Sequence, residues 1–355
     1  MTADLQTAVH GAIGLITLTR PRALNSLTIE MCEAADKTLA EWADDDGIAA
    51  IVIEGEGERA FCAGADIRWL YDTGRSDPSA ATQFFRQEYR LDARLAHYKK
   101  PVIALMDGIV MGGGVGLSMH ATHRIATDRT LWAMPECMIG LFPDVGTTRL
   151  LKGLPGGMGL YIGLTGVRLT GEDLCALALA THLVSGDSLS AIREEILSLS
   201  PGQDVSAQIT EIVKPHHNTD VSTLMNASPD IDQYFQKISD LPTLMEMLES
   251  QGGAFGQKAL EMMRPASPTS LALTLEGVSN APDSFDDAIS REFNVAARVM
   301  RGHDFFEGVR AQIIDKDKEP KWSPASIDDV SETEIAQYFK APTDGPLDLK
   351  GVSAS

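Results

Sequence analysis

Cysteine is scarce and scattered in this chain of 355 residues. There are four, Cys32, Cys62, Cys137 and Cys175, and none forms a Cys-x-x-Cys pair. That argues against a disulfide scaffold and against a zinc ribbon, and leaves free thiols in a reducing compartment. Basic residues are also in deficit, 30 Lys+Arg against 50 Asp+Glu, for a formal charge of −20. So acidic a surface repels phosphate backbones and anionic headgroups, so neither nucleic acid nor a membrane is an expected partner. No long apolar run is uninterrupted. The most apolar stretch, Val102 to Met119, contains Asp107 and five glycines, which excludes a membrane span. The start, MTADLQTAVHGAIG, has no basic segment leading into an apolar one, so no secretory signal is visible. There is no internal repeat. These absences predict a soluble, cytoplasmic protein.

What is present reads as two kinds of chain. Ala12–Leu18, Ile48–Glu54, Pro101–Met106 and Arg124–Thr127 are short apolar or β-branched runs suited to buried strands. Ile29–Asp44 carries apolar residues at helical spacing, and a glycine-rich turn leads into a helix over 112–121. Buried strands alternating with helices predict an α/β layer architecture with parallel pairing. After about residue 195 the composition shifts. A polar, Pro- and Gly-punctuated stretch, SPGQDVSAQITEIVKPHHNTD, suggests a linker or surface excursion. Helical patterns follow over 231–238, 241–249, 254–263, 268–278 and 284–301. The predicted division is an α/β core over 1–200, a helical region over 201–340 and a loose tail over 341–355.

Three segments carry candidate chemistry. AFCAGADI (60–67) and MGGGVG (111–116) are small-residue turns that expose backbone N–H groups and let a ligand approach the main chain. Two such turns, each supplying one N–H, could form an oxyanion hole. Each taken alone is better accounted for by a tight turn with close backbone packing. Neither has Gly-x-Gly-x-x-Gly spacing or a following Gly-Lys-Ser/Thr, so no nucleotide fingerprint is present. The third segment, LWAMPECMIGLFPDVG (131–146), has only two charged residues, Glu136 and Asp144, each directly after a proline. A carboxylate in so apolar a stretch is paired, exposed or desolvated with a raised pKa. Two invite an acid/base or nucleophile role, the alternative being loop carboxylates that face solvent or cap backbone N–H groups. His120 and His123 have a spacing some metal sites use, but no Glu or Cys cluster accompanies them, so no metal is expected. Arg20, Arg22, Lys99, Lys100 and the Arg310–Lys321 region are the local basic groups able to meet a phosphate.

Together these segments resemble the crotonase (enoyl-CoA hydratase/isomerase) superfamily. The resemblance runs from TRPRALNSL through AFCAGADI, DGIVMGGGVGLS, AMPECMIGLFPDVG and LTGVRLTGEDLCALALATHLV, covering about residues 10–340. FFRQEYRL (84–91), GLFPDVG (140–146), SPTSL (267–271) and MRGHDFFEGVRAQIIDKDKEPKW (300–322) are most similar to the 3-hydroxyisobutyryl-CoA hydrolase branch. The resemblance implies a spiral of ββα units followed by C-terminal helices. It implies an oxyanion hole from the N–H groups of Ala65 and Gly113, with Glu136 and Asp144 as catalytic carboxylates. Glu88 would contact the substrate. Ala23 and Leu24 would line a CoA channel, and Ala63, Gly64, Ala65, Asp66 and Ile67 would border the adenine pocket. No cofactor is implied, since CoA enters as part of the acyl-CoA substrate. Superfamily members often assemble as trimers or hexamers, so a homo-oligomer is possible. Cys62 and Cys137 fall beside the expected site, where alkylation could block it.

One departure bears on the reaction. Hydratases of the superfamily generally use two glutamates, the first two residues after the Gly triplet, and that position is Gly116 here. Glycine moves no proton through a side chain, so addition of water to a double bond would lack one carboxylate. The expectation is therefore hydrolysis of a short branched 3-hydroxyacyl thioester in valine catabolism. The alternatives are an enoyl-CoA hydratase or isomerase using Glu136 alone, and a non-catalytic CoA-binding subunit.

Overall fold

In the computed structural model, residues 3–200, 204–217 and 221–352 are described. Among these described residues, ten strands form two sheets. The larger has the order β1 (Leu5–His10), β2 (Ile13–Leu18), β3 (Ala50–Gly55), β5 (Val102–Met106), β7 (His123–Thr127), β10 (His182–Val184). Only β1–β2 is antiparallel in it. The smaller has the order β4 (Ala60–Cys62), β6 (Ile109–Met111), β8 (Leu131–Ala133), β9 (Leu169–Thr170), with β4, β6 and β8 parallel.

The chain alternates between the sheets. β3, β5 and β7 enter the larger one, and β4, β6 and β8, each following directly, enter the smaller. Helices carry the chain back to the next pair: α1 (Ile29–Ala43) before β3, α2 (Ile67–Ser76) and α3 (Pro78–Ala96) before β5, and α4 (Gly113–Met119) before β7. This is the expected α/β spiral of ββα units. Its consequence is local. Because β4, β6 and β8 are parallel neighbours, their C-terminal ends lie side by side, and Ala63–Asp66, Gly112–Gly113 and Glu136 follow those three ends.

The rest is mostly helical: α5 (Thr147–Lys152), α6 (Met158–Thr165), α7 (Gly171–Ala176), α8 (Leu189–Leu197), α9 (Val205–Val213), α10 (Ser228–Phe235), α11 (Leu241–Gln251), α12 (Gly253–Met263), α13 (Pro268–Ser279), α14 (Phe285–Val299), α15 (Asp304–Val309) and α16 (Glu332–Tyr338). α14 shows why such segments dock. Ser284 caps its N-terminus, and the stripe Ala288, Ile289, Phe293, Ala296 and Ala297 is fully buried. No described helix is long and apolar enough to cross a membrane.

Two expectations change. The stretch after residue 195 is not merely a surface excursion: Val205, Ile209 and Val213 of α9 are buried against Ile13, Leu15, Val52 and Ile103 on the outer face of the larger sheet. Its residues 201–203 and 218–220 lie outside the described ones. The tail is also not loose over 341–352. Arg86 donates to the carbonyls of Asp344, Gly345 and Pro346, Arg90 to that of Asp348, and Arg301 pairs with Asp344. Leu347 and Val352 are buried. A polar segment with too few apolar residues for a core of its own is thus held by arginines of α3 and the end of α14. Residues 353–355 lie outside the described ones.

Candidate active site

The first turn is fixed from two sides. Asp66 caps α2 by accepting from Trp69 N–H (3.2 Å), and its other oxygen takes Arg20 at 2.8 Å. Leu27 N–H donates to Gly64 O and Asp66 N–H to Leu27 O, so the Ala65 N–H between them is left out of this bridge. Ala63 N–H donates to Leu24 O, which sets Ala23 and Leu24 beside Ala63–Ile67. Asn25, buried and with φ of 55°, holds the neighbouring turn: its Nδ2 donates to Ala60 O (2.8 Å) and its Oδ1 accepts from Arg20 N–H.

The second turn presses against the first. Gly112 has φ 50° and ψ −123°, a conformation that a side chain would strain. Gly113 opens α4, where its N–H has no intrahelical acceptor. A methyl group on Gly64 would lie 3.3 Å from Gly113 N, so the two turns touch. A methyl group on Gly112 would lie 3.3 Å from Glu136 Oε1, and one on Gly113 would collide with Glu88 Oε1 at 2.2 Å. Glu136 and Glu88 thus flank the Gly112–Gly113 peptide.

Glu136 follows Pro135 at the end of β8 and starts a short 3-10 turn that Gly140 closes. It is 6% exposed, and its Oε2 has no hydrogen-bond partner. Burial, then the nearby Asp144, holds its carboxyl well above the usual range. Asp144 is buried and accepts a 2.6 Å hydrogen bond from Tyr89 Oη of α3. Burial pushes it up to about 7, against the pull of the Tyr89 bond. Glu88, in the same helix as Tyr89, is buried with Oε1 unpartnered, and burial followed by Asp144 raises it as well.

Asp144 is kept in place by a third element. Glu292 of α14 accepts from Gly146 N–H (2.5 Å), Thr148 N–H (3.0 Å) and Thr148 Oγ1, anchoring the loop that turns through Val145 and Gly146 with positive φ. Tyr89, Glu292 and Asn25 escape a reading of sequence because each acts on a partner far along the chain from an ordinary-looking helix or turn. Only the helix-breaking Asn in TRPRALNSL gave a local signal.

Other candidates move apart. His120 and His123 do not share a helix. His120 lies just past α4 with its ring edge against Phe285, and His123 begins β7, bonded to Ser206 and stacked on His182. No group of three or more His, Cys, Asp or Glu among the described residues is arranged for a metal ion. Arg20 is committed to Asp66 and Ser26, and Arg310 to Glu307, Asp315 and Asp317. Arg22, Lys316, Lys318 and Lys321 are exposed. Cys62 and Cys137 are buried, and burial pushes each thiol up to about 12, which disfavours the thiolate that alkylation needs.

Residues 13–339 match the family model for enoyl-CoA hydratase/isomerase. The chain belongs to that family. Within it, the chain is 38% identical to the mitochondrial 3-hydroxyisobutyryl-CoA hydrolase of Gallus gallus, over 98% of this chain and 91% of that one. It is 40% identical to the Danio rerio protein of the same name (96% and 90%), and 38% to that of Homo sapiens (96% and 89%). Among solved structures, a carnitinyl-CoA dehydratase from Mycobacterium thermoresistibile superposes with a TM-score of 0.91 at 35% identity, covering 99% of this chain and all of that one. An enoyl-CoA hydratase from Rhodobacter sphaeroides gives 0.89 at 34% identity, covering 98% and 100%. The cytoplasmic expectation does not stand, because these hydrolase relatives are named as mitochondrial. That expectation rested on the absence of a visible targeting segment together with cysteine usage, and neither distinguishes one reducing compartment from another.

Proposed function

We propose that this enoyl-CoA hydratase/isomerase family member hydrolyses the thioester of 3-hydroxyisobutyryl-CoA to the free acid and CoA, a step of valine catabolism. The observation that carries this reading is the meeting of Ala65, Gly113, Glu136 and Asp144 in one place, while position 116 offers no side chain. The hydrolase names of relatives 38–40% identical over nearly the whole chain support it.

In this reading the thioester carbonyl accepts from the N–H groups of Ala65 and Gly113, which stabilise the oxygen as negative charge develops on it. Glu136 acts on the carbonyl carbon. As nucleophile it forms a mixed anhydride and expels the CoA thiolate, and water then opens the anhydride. As general base it takes a proton from the attacking water. Asp144, ionised, accepts the substrate's 3-hydroxyl, and Glu88 fixes the acyl group from the far side of Gly113. The backbone of Ala63–Ile67, with Ala23 and Leu24, borders the CoA moiety. The route draws on this chain's own groups and the CoA of the substrate.

Glu136→Gln tests the assignment. It should lower thiol release by about 10²–10⁴-fold while CoA binding persists, and near-wild-type turnover would sink it. Single turnover in ¹⁸O-water bears on the two routes: label in Glu136 marks the anhydride, and label only in the product acid restricts water attack to the acyl carbon, as the base route requires. A second reading, hydration or dehydration of an acyl-CoA double bond, is favoured by the solved relatives that are a dehydratase and a hydratase. A crotonyl-CoA absorbance assay beside thiol release distinguishes it.

A further inference from the structure

α3 carries a second buried acid that this reaction scheme does not use. Asp92 lies one helical turn beyond Glu88 and is 0% exposed, and neither of its oxygens has a hydrogen-bond partner. It faces Gly116 of α4, where a methyl group would lie 2.6 Å from Asp92 Oδ1 and 3.0 Å from Oδ2. Glu88 stands in the same relation to Gly113. Two carboxyls on one face of α3 therefore meet two glycines on one face of α4, and only residues without a side chain leave room for them. The side chain missing at 116 is replaced in space by a carboxyl from another helix.

Among the described residues, no cation offsets the charge of Asp92. Facing it are Glu88 of its own helix, Asp144 from the loop before α5, Glu292 of α14, and the thiols of Cys32 in α1 and Cys62 in β4. Arg94, on the next part of α3, pairs with Asp36 of α1. Two carboxyls one turn apart in such a place cannot both ionise, and they titrate as a pair. Burial and then Glu88 raise the Asp92 carboxyl well above its ordinary value.

We propose that Asp92 is a positioning residue: it retains a proton at neutral pH, so that the Glu88–Asp92 pair carries one negative charge and that charge lies on Glu88, beside Gly113. The kinetic part rests on the hydrolase reading above, and the protonation part does not. Infrared difference spectra of the full-length protein against Asp92→Asn at neutral pH should show loss of one protonated-carboxyl C=O band that shifts in D₂O. Loss of an ionised-carboxylate band instead overturns the proposal. In thiol release from 3-hydroxyisobutyryl-CoA, Asp92→Asn keeps a neutral side chain of the same shape behind Glu88 and should hold kcat/KM within about 3-fold. Asp92→Ala removes that side chain from behind Glu88 and should raise KM by about 10-fold or more with a smaller change in kcat. Gly116→Ala, which evicts Asp92, should follow Asp92→Ala. If Asp92→Ala folds and retains the wild-type KM, or Asp92→Asn loses as much as Asp92→Ala, Asp92 is structural only. A wild-type protein that releases no thiol refutes the hydrolase reading, and the infrared band still decides whether Asp92 holds the proton.

Discussion

Tyr89→Phe is the sharpest probe of Asp144. The tyrosine hydroxyl donates to Asp144 Oδ2 at 2.6 Å inside the protein, and no other side chain is seen to donate to that carboxyl. A hydrogen bond to a charged group contributes about 1.5–3 kcal/mol. Because the bond favours the ionised form, its loss raises the Asp144 pKa from about 7, and at about 1.4 kcal/mol per unit the rise is about 1–2 units. The ring itself stays, with its edge contacts to Phe85 (5.9 Å) and Phe293 (6.3 Å), so the fold loses little. In the proposed reaction Asp144 works ionised, so kcat/KM rises with pH through its titration. The variant should move that limb upward, with a loss of about 10–100-fold below the new pKa and near-complete recovery above it. The assay is thiol release across pH, with a thermal melt of each protein. An unmoved limb, or an equal loss at every pH, would refute the role given to the Tyr89–Asp144 bond.

Glu292→Ala should destabilise the protein by about 2–5 kcal/mol in urea unfolding, because the Gly146 and Thr148 N–H groups lose their buried acceptor. Glu292→Gln, which keeps an acceptor oxygen, should cost less, and an equal cost would count against this account. Stability should also fall as pH rises. Asp144, at about 7, and Glu292, at about 8, both sit above their ordinary values because of burial, so the folded state holds protons the unfolded chain has released. That contribution is complete below the ordinary carboxylate range and is lost as pH climbs through 7 to 8. A urea midpoint no lower at about pH 8.5 than at about pH 5.5 would contradict it.

The parts of the fold legible in the sequence are those set by local pattern. The apolar runs became β2, β3, β5 and β7, and the stripe through Phe285, Phe293 and Met300 became α14, because period and burial are properties of a single segment. β1 was missed: LQTAVH leaves five of its six positions, all those after Leu5, exposed or half-exposed and is held by pairing with β2 rather than by an apolar face. α9 was read as a surface excursion because only three of its nine residues are buried, and the sheet face they cover is built by strands far away in the chain. In the site, the three motif segments were legible since each carries its own oddity: consecutive small residues, a glycine triplet, acids in an apolar run. Tyr89, Asp92 and Glu292 were not, since nothing about a Tyr or an acid in an amphipathic helix announces a partner 55 or 144 residues away.

The −20 charge takes on a different meaning once these acids are located. Glu88, Asp92, Glu136, Asp144 and Glu292 are all buried and all pushed toward the protonated form by burial. A formal count that ionises each of them overstates the charge the protein carries at neutral pH. The excess that remains lies on the surface, where it is screened by salt within about 8–10 Å. The interior excess is not screened and is the one that bears on chemistry. With no cation to neutralise them, these carboxyls compete for few negative charges, and the occupant of the site decides where those charges settle. A carbonyl seated against Ala65 and Gly113 calls for charge on Glu136, and a 3-hydroxyl beside Asp144 calls for charge there. Substrate binding is then itself the event that redistributes protons among the acids. A proton taken up or released on binding a non-hydrolysable 3-hydroxyacyl-CoA analogue, read by calorimetry in buffers of different ionisation enthalpy, measures that redistribution directly. Identical heats in all buffers would mean that the acids keep their protons where they were.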